Sequence, residues 1–215
     1  MAARENILSR IRAAQGRSGA PGADERAAID AHLKAHSRGP RPPAEWAAVE
    51  RFTERVTALS TTCDKVGDLA AVPSAVANYL TQRGLPMSAV CWPEFLELEW
   101  DAAGIKVEAR AAQGSDLVGI TGAFCAIAET GTLMLLSGPR TPAATSLLPE
   151  THIAVVRAGR IVPSMEDAWG LLRSERGTMP RAVNFVSGPS RTADIEQTLV
   201  LGAHGPYRVH LVLVP

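Results

Sequence analysis

The sequence predicts an α/β fold: a central, mainly parallel sheet with helices on both faces, preceded by a helical arm. Three observations carry this prediction. The 215 residues suffice for one well-packed core with an appendage but are short for two. A stretch rich in Gly, Pro and Arg, ending in RGPRPP, separates the first 43 residues from the rest. Beyond it, apolar residues at helical spacing alternate with short apolar runs of strand character, the pattern of parallel strands joined by helices.

The arm comes first. Over residues 3–14, Ile7, Leu8 and Ile11 fall on one side of a short helix, with Arg4, Arg10 and Arg12 around the remainder. This arm is expected to dock on something. Residues 16–43 read as a mobile connection with one weak helical patch at 27–35, carrying Ile29 and Leu33. The expected division is therefore an arm and linker over 1–43 and an α/β domain over 44–215. That domain opens with Trp46, Val49, Phe52, Val56 and Leu59 at three- and four-residue steps, an amphipathic helix about four turns long.

A strand is expected at 61–66, then a helix opened by Pro73, whose missing N–H costs nothing in a first turn, then a strand at 88–92. A turn at 101–104 leads into 105–109. Two β-like runs, 117–121 and 132–136, bracket the small-residue segment GAFCAIAE, read as a brief helix. Residues 153–156 form a buried-looking strand. Ser164-Met-Glu-Asp167 has the S-x-x-[DE] pattern in which Ser164 caps the helix carrying Trp169, Leu171 and Leu172. Strands at 182–186 and 209–214, with a helical stretch at 192–199 between them, complete the fold.

Composition narrows the function classes. The chain is 46% hydrophobic and 20% charged, and 22 Lys+Arg balance 22 Asp+Glu, so nothing points to nucleic acid or a membrane surface. No apolar run approaches the roughly 20 residues of a membrane span, and the N-terminus lacks a signal-like apolar core, so a cytoplasmic location is expected. Cys63, Cys91 and Cys125 lie far apart, with no C-x-x-C pair to hold a cluster. Cys125, in an apolar segment, reads as a buried inert thiol. His32, His36, His152 and His210 show no ligand spacing, so no protein-bound metal is expected. Neither glycine-rich nucleotide fingerprint is present, and Lys34, Lys65 and Lys106 lie away from the glycine-rich segments.

Two segments place Gly, Thr, Ser and charge where a plain core would place aliphatics. In the first, Gly131 permits a tight turn or a close backbone approach, and Thr130 and Thr132 offer hydroxyls beside backbone N–H donors that suit an anion. The same Glu129-Thr-Gly-Thr132 run also fits a turn with Glu129 solvated. In the second, Ser190 or Thr192 could cap the expected helix, with Arg191 at its positive end, an arrangement that binds anions. Asp194 and Glu196 in its first turn also suit the helix dipole without any ligand. His204, in the Gly/Pro-bounded turn that ends with Gly205 and Pro206, could exchange a proton near neutrality or simply hydrogen-bond the turn.

The segments GITGAFCAIAETGTLMLLSGPRTPAATSLLPETHIAVV and GPSRTADIEQTLVLGAHGPYRVHLVLV resemble the two signature regions of the lactate utilization protein C family, the LUD-domain proteins, and the similarity runs from about residue 44 to the C-terminus. The resemblance implies a Rossmann-like fold similar to the NagB/RpiA/CoA transferase-like superfamily. It also implies service in a bacterial system that oxidises L-lactate to pyruvate with two iron-sulfur proteins. This chain shows no cluster, flavin or nicotinamide motif of its own, so no cofactor is expected in it and the iron-sulfur clusters are expected on the partners. The signature positions carried over are Glu129, Thr130, Gly131 and Thr132, and Ser190, Arg191, Thr192, Asp194, Glu196, His204 and Gly205. Arg191 and the threonines are expected to hold a small anionic ligand, with Glu129 or His204 managing a proton. The alternatives are a freestanding enzyme for a phosphorylated or CoA-linked molecule and a sensor of a carboxylate.

Overall fold

The computed structural model describes residues 2–17, 20–40, 45–192 and 200–215. The chain divides into two compact units, residues 1–43 and 44–215. The first contains helices α1 (Ala2–Ala14) and α2 (Ala23–Ala35). Ile7 and Ile11 on α1 are 58% and 47% exposed, and Ile29 and Leu33 on α2 are 46% and 61% exposed, so neither apolar stripe is buried.

The second unit opens with α3 (Ala48–Ala58), followed by β1 (Thr62–Lys65), α4 (Val72–Gln82), β2 (Ser88–Cys91), β3 (Lys106–Ala109), β4 (Val118–Gly122), β5 (Cys125–Ile127) and β6 (Thr132–Leu136). Next come α5 (Ala144–Leu147), β7 (Thr151–Arg157), β8 (Ile161–Val162), α6 (Met165–Glu175), β9 (Val183–Val186), β10 (Arg191–Thr192), β11 (Val200–Leu201) and β12 (Arg208–Val214). On α3 the expected stripe is turned inward: Phe52 and Val56, four residues apart, are both buried. Pro73 stands in the first turn of α4, and Ser164 caps α6 by accepting from the Asp167 N–H at 3.3 Å.

Six strands form a wholly parallel sheet in the order β1-β12-β7-β4-β2-β3. Its middle strands are covered on both faces: every residue of β4 and all of β7 but Arg157 are buried. Helix α4 packs on β12, and α5 packs on β4 and β7. Gly119 makes the second packing possible, since a Cβ there would stand 2.1 Å from the Thr145 carbonyl oxygen.

Part of the cover is a second sheet rather than helices. Strands β8-β5-β6-β9 form a mixed sheet in which β5 and β6, and β6 and β9, pair antiparallel. This corrects two expectations. The segment GAFCAIAE is not a brief helix but contains β5, and the runs at 132–136 and 182–186 lie outside the parallel sheet. The physical reason is two-sided burial. Ala126, Ala128, Leu133 and Leu135 join the main core, while Cys125, Ile127, Met134 and Leu136 face Ala168 and Leu172 of α6. With both faces apolar there is no polar alternation to reveal a strand, and alanines tilt a local reading toward helix.

Thr192 belongs to β10, which pairs antiparallel with β11; residues 193–199 of the expected helix at 192–199 lie outside the described residues.

The strand order reverses direction once within the sheet. From β2 the chain steps outward to β3, and from β4 it steps the opposite way to β7 and β12. The neighbours β2 and β4 thus flank a switch point, where the carboxyl ends of parallel strands open a crevice.

Candidate functional site

The two signature segments meet at the junction of α3 and β1, residues 55–61. Gly131 has φ +67°, and a Cβ there would lie 2.8 to 2.9 Å from Arg55 and the Val56 nitrogen, so glycine lets this turn press directly on the α3 backbone. Gly188, at φ +80°, is similarly close: a Cβ there would lie 2.7 Å from the Leu59 carbonyl oxygen. Between them runs a chain of hydroxyls: Thr130 Oγ1 to Thr132 Oγ1 at 2.7 Å, and Thr132 Oγ1 to Ser187 Oγ at 2.7 Å.

The Arg191 guanidinium donates to the Leu59 carbonyl at 3.1 Å and to Ser60 Oγ at 2.5 Å. It therefore sits at the negative, C-terminal end of α3. A cation there satisfies a carbonyl that the helix leaves without an internal donor.

Ser190, His204 and Gly205 form a second small group. Ser190 donates its N–H to the Pro206 carbonyl at 2.8 Å, its carbonyl accepts from the Gly202 N–H at 2.9 Å, and its Oγ accepts from the His204 N–H at 3.3 Å. Gly205 lies against it, with a Cβ position 3.6 Å from the Ser190 Cβ. The His204 side chain is exposed. Glu129 is half-buried, its N–H held by the Pro163 carbonyl at 3.0 Å, and no hydrogen bond or ion pair joins it to His204. Thr192 is fixed in β10, and Asp194 and Glu196 lie outside the described residues.

A different set of groups lines a cleft of about 1120 Å³ at the carboxyl ends of the parallel strands. Glu94 follows β2, Phe124 follows β4, and Arg157 and Arg160 lie at and beyond the end of β7. Arg140 comes from a tight turn over residues 138–141, closed by the Thr141 N–H to the Gly138 carbonyl at 3.1 Å, with Pro139 at the position whose φ the ring presets. Glu94 reaches across to Gly122 at the end of β4: a Cβ there would lie 2.7 Å from Glu94 Oε1 and 3.3 Å from the Phe95 ring.

The charges in this cleft divide into paired and unpaired. Arg160 is committed: it meets Glu175 through two nitrogens at 2.5 and 2.9 Å, donates to the Phe124 carbonyl at 2.9 Å and lies 4.8 Å from the Phe124 ring centre. The side chains of Glu94, Arg140 and Arg157 make no hydrogen bond or ion pair among the described residues. Desolvation raises the Glu94 carboxyl above its usual range, while Arg157 and Arg140 pull it back. A perturbed carboxyl and two unmatched guanidiniums in a concave site are the features that mark ligand binding. Sequence reading missed this trio. Arg140 lies inside the first signature segment, in the turn signal SGPRT, but Glu94 follows an ordinary apolar strand and becomes conspicuous only when Gly122 is placed beside it.

Among the described residues no three His, Cys, Asp or Glu side chains converge to hold a metal ion. Cys91 and Cys125 are buried and burial pushes each thiol up to about 11, away from thiolate chemistry. No described helix is long and apolar enough to cross a membrane.

A parallel sheet with a switch-point cleft is the architecture of ligand-binding α/β proteins. Within that class the chain belongs to the LUD domain family, whose model matches residues 48–214. It is 40% identical over 119 residues to lactate utilization protein C of Bacillus subtilis strain 168, an alignment covering 54% of this chain and 49% of that protein. It is 41% identical over 118 residues to lactate utilization protein C of Exiguobacterium sp., covering 54% and 51% respectively. The matches thus span about half the length of these curated relatives. The crystal structure of a DUF162 family protein from Deinococcus radiodurans shares the fold, with a TM-score of 0.56, 24% identity and coverage of 82% of this chain and 100% of that one.

Proposed function

We propose that this chain is a cytoplasmic subunit of a bacterial L-lactate utilization system, which oxidises L-lactate to pyruvate together with two iron-sulfur proteins, and that its part is to hold the acid. The names of its relatives supply the context. The observation that carries the reading is the pair Arg140 and Arg157, left without an ion-pair partner among the described residues in the switch-point cleft. A planar guanidinium matches a carboxylate through two parallel N–H donors, and a second one fixes the orientation of the acid. Electron transfer then falls to the partners.

The test is lactate-dependent reduction of an artificial electron acceptor by the two purified iron-sulfur partners, with and without this chain. Activity should require the chain and fall at least about tenfold with Arg157→Ala, the cost of one lost charge-assisted contact. Equal activity without the chain would overturn the proposal. The cleft volume favours a second reading, because about 1120 Å³ far exceeds a three-carbon acid. That reading is a freestanding enzyme or sensor for a phosphorylated or CoA-linked molecule, and turnover of such a molecule by the isolated chain would select it.

A further inference from the structure

We infer that the cleft is a site for 2-oxo and 2-hydroxy carboxylates in which Glu94 reads the group next to the carboxylate, donating a hydrogen bond to a 2-oxo oxygen when protonated and accepting one from a 2-hydroxyl when ionised. This rests on the proposal that the cleft binds an acid.

Three features assign the role. The first is position: Gly122 ends β4 without a side chain, and Glu94 Oε1 occupies the space a Cβ would contest. One carboxyl oxygen is thereby laid against the switch point between β2 and β4, while the residue stays open to solvent. The second is the lack of internal partners. The charged groups lining the cleft are Glu94, Arg140, Arg157, Arg160, Glu175 and Arg176, and the Arg160 to Glu175 pair is already matched. Three guanidiniums and one carboxylate remain; Arg176 bears on Glu175, while Arg140 and Arg157 bear on Glu94 without hydrogen-bonding to it, which suits a ligand that has an anionic group for those two arginines and a second polar atom for the carboxyl.

The third feature is the balance of forces on Glu94. Desolvation favours its neutral form and raises its pKa, while Arg157 and Arg140 favour its ionised form. A bound carboxylate that neutralises the guanidiniums shifts this balance further toward the neutral form. The neighbouring atom of the ligand then selects the form of Glu94. A 2-oxo oxygen only accepts, so it selects protonated Glu94 and binding takes up a proton. A 2-hydroxyl can donate, so it is satisfied by the ionised form and needs none. No covalent bond is made or broken in either ligand; the site distinguishes the oxidised from the reduced acid by one proton.

The experiment is isothermal titration of the full chain with sodium pyruvate and with sodium L-lactate, in two buffers of different ionisation enthalpy and across a range of pH. Pyruvate should take up about one proton, its Kd rising about tenfold per pH unit above the Glu94 pKa, while lactate takes up none. Glu94→Gln, whose amide both donates and accepts, should bind both acids without proton uptake, and Glu94→Asp should retain the uptake. Arg157→Ala should weaken both acids alike. Pyruvate binding that still depends on Arg157 but takes up no proton, or equal uptake with both acids, overturns the Glu94 assignment and leaves the acid-binding proposal standing. If neither acid binds the unaltered chain, the acid-binding proposal falls and this inference falls with it.

Discussion

The α3–β1 junction and the switch-point cleft both gather polar residues, but they differ in how those residues use their hydrogen-bonding capacity. At the junction Thr130, Thr132 and Ser187 bond one another, Arg191 bonds Leu59 and Ser60, and Gly131 and Gly188 let the turns close onto α3. In the cleft Glu94, Arg140 and Arg157 make no such bonds among the described residues. Groups that already satisfy one another hold a fold together. Groups held close without satisfying one another offer a ligand something to complete. The contrast predicts that junction variants lose stability and cleft variants lose binding.

The largest expected effect strikes both regions at once, through the sheet that carries them. His152 on β7 and His210 on β12 are buried. His152 bonds Thr121 at 2.7 Å, and His210 bonds Thr62 at 2.8 Å and stacks on Tyr79 at 3.9 Å. Burial pushes each imidazole down to about 4; for His210, Asp64 opposes this and Arg83 adds to it. Both folded values lie below the unfolded value of about 6.5, so the unfolded chain binds more protons. Stability is full above about pH 6.5 and is lost as pH falls through 4, by about 3 kcal/mol per histidine. That is comparable with the whole stability of many domains. Urea unfolding midpoints between pH 7 and 4 measure it, and a flat profile would refute the buried neutral histidines.

Next in size is Gly131→Ala, which tests the junction alone. A left-handed φ costs a side chain about 1 to 2 kcal/mol, and forcing a methyl against the α3 backbone adds about 1 to 3. We expect a loss of roughly 2 to 5 kcal/mol in urea unfolding. A loss under about 0.5 kcal/mol, the scatter of neutral surface changes, would show that the turn does not press on α3.

Legibility in the sequence obeys the same physics. Period and punctuation reveal elements with one wet face or a sharp boundary: α3 from its Phe52 and Val56 stripe, α4 from Pro73, α6 from the Ser164 cap. They fail for β5, whose two faces are both buried. The candidate site shows a similar split. Conspicuous Gly, Thr and Arg residues announced a place where chain segments press closely together, and the structure brings Thr130, Gly131, Thr132 and Arg191 to one junction. Glu94 could not be announced, because its significance is a relation to Gly122, Arg140 and Arg157 that only the crossing of β2, β4 and β7 creates.

A smaller effect is expected for Arg191→Ala. It removes two hydrogen bonds from the end of α3, but the side chain is exposed and water replaces part of what is lost. About 1 kcal/mol of stability should go. Binding of pyruvate to the folded protein should be unchanged, and a specific loss of affinity at unchanged stability would transfer the ligand site from the cleft to the junction.

The smallest stability effect, and the sharpest separation of the two regions, is expected for Arg157→Ala. Arg157 is exposed and makes no ion pair with any described residue, so its removal breaks no internal bond among them. Glu94 loses one of the two cations that oppose the desolvation of its carboxyl. This term is small, and the unfolding free energy should move by no more than about 0.5 kcal/mol. Affinity for a carboxylate should nevertheless fall at least about tenfold, because in the complex the same side chain would lose a charge-assisted hydrogen bond. Urea unfolding and titration of one preparation measure both quantities. A stability loss above about 1 kcal/mol would show that Arg157 already has work within the fold, and the distinction between a satisfied junction and an unsatisfied cleft would fail at the residue that defines it.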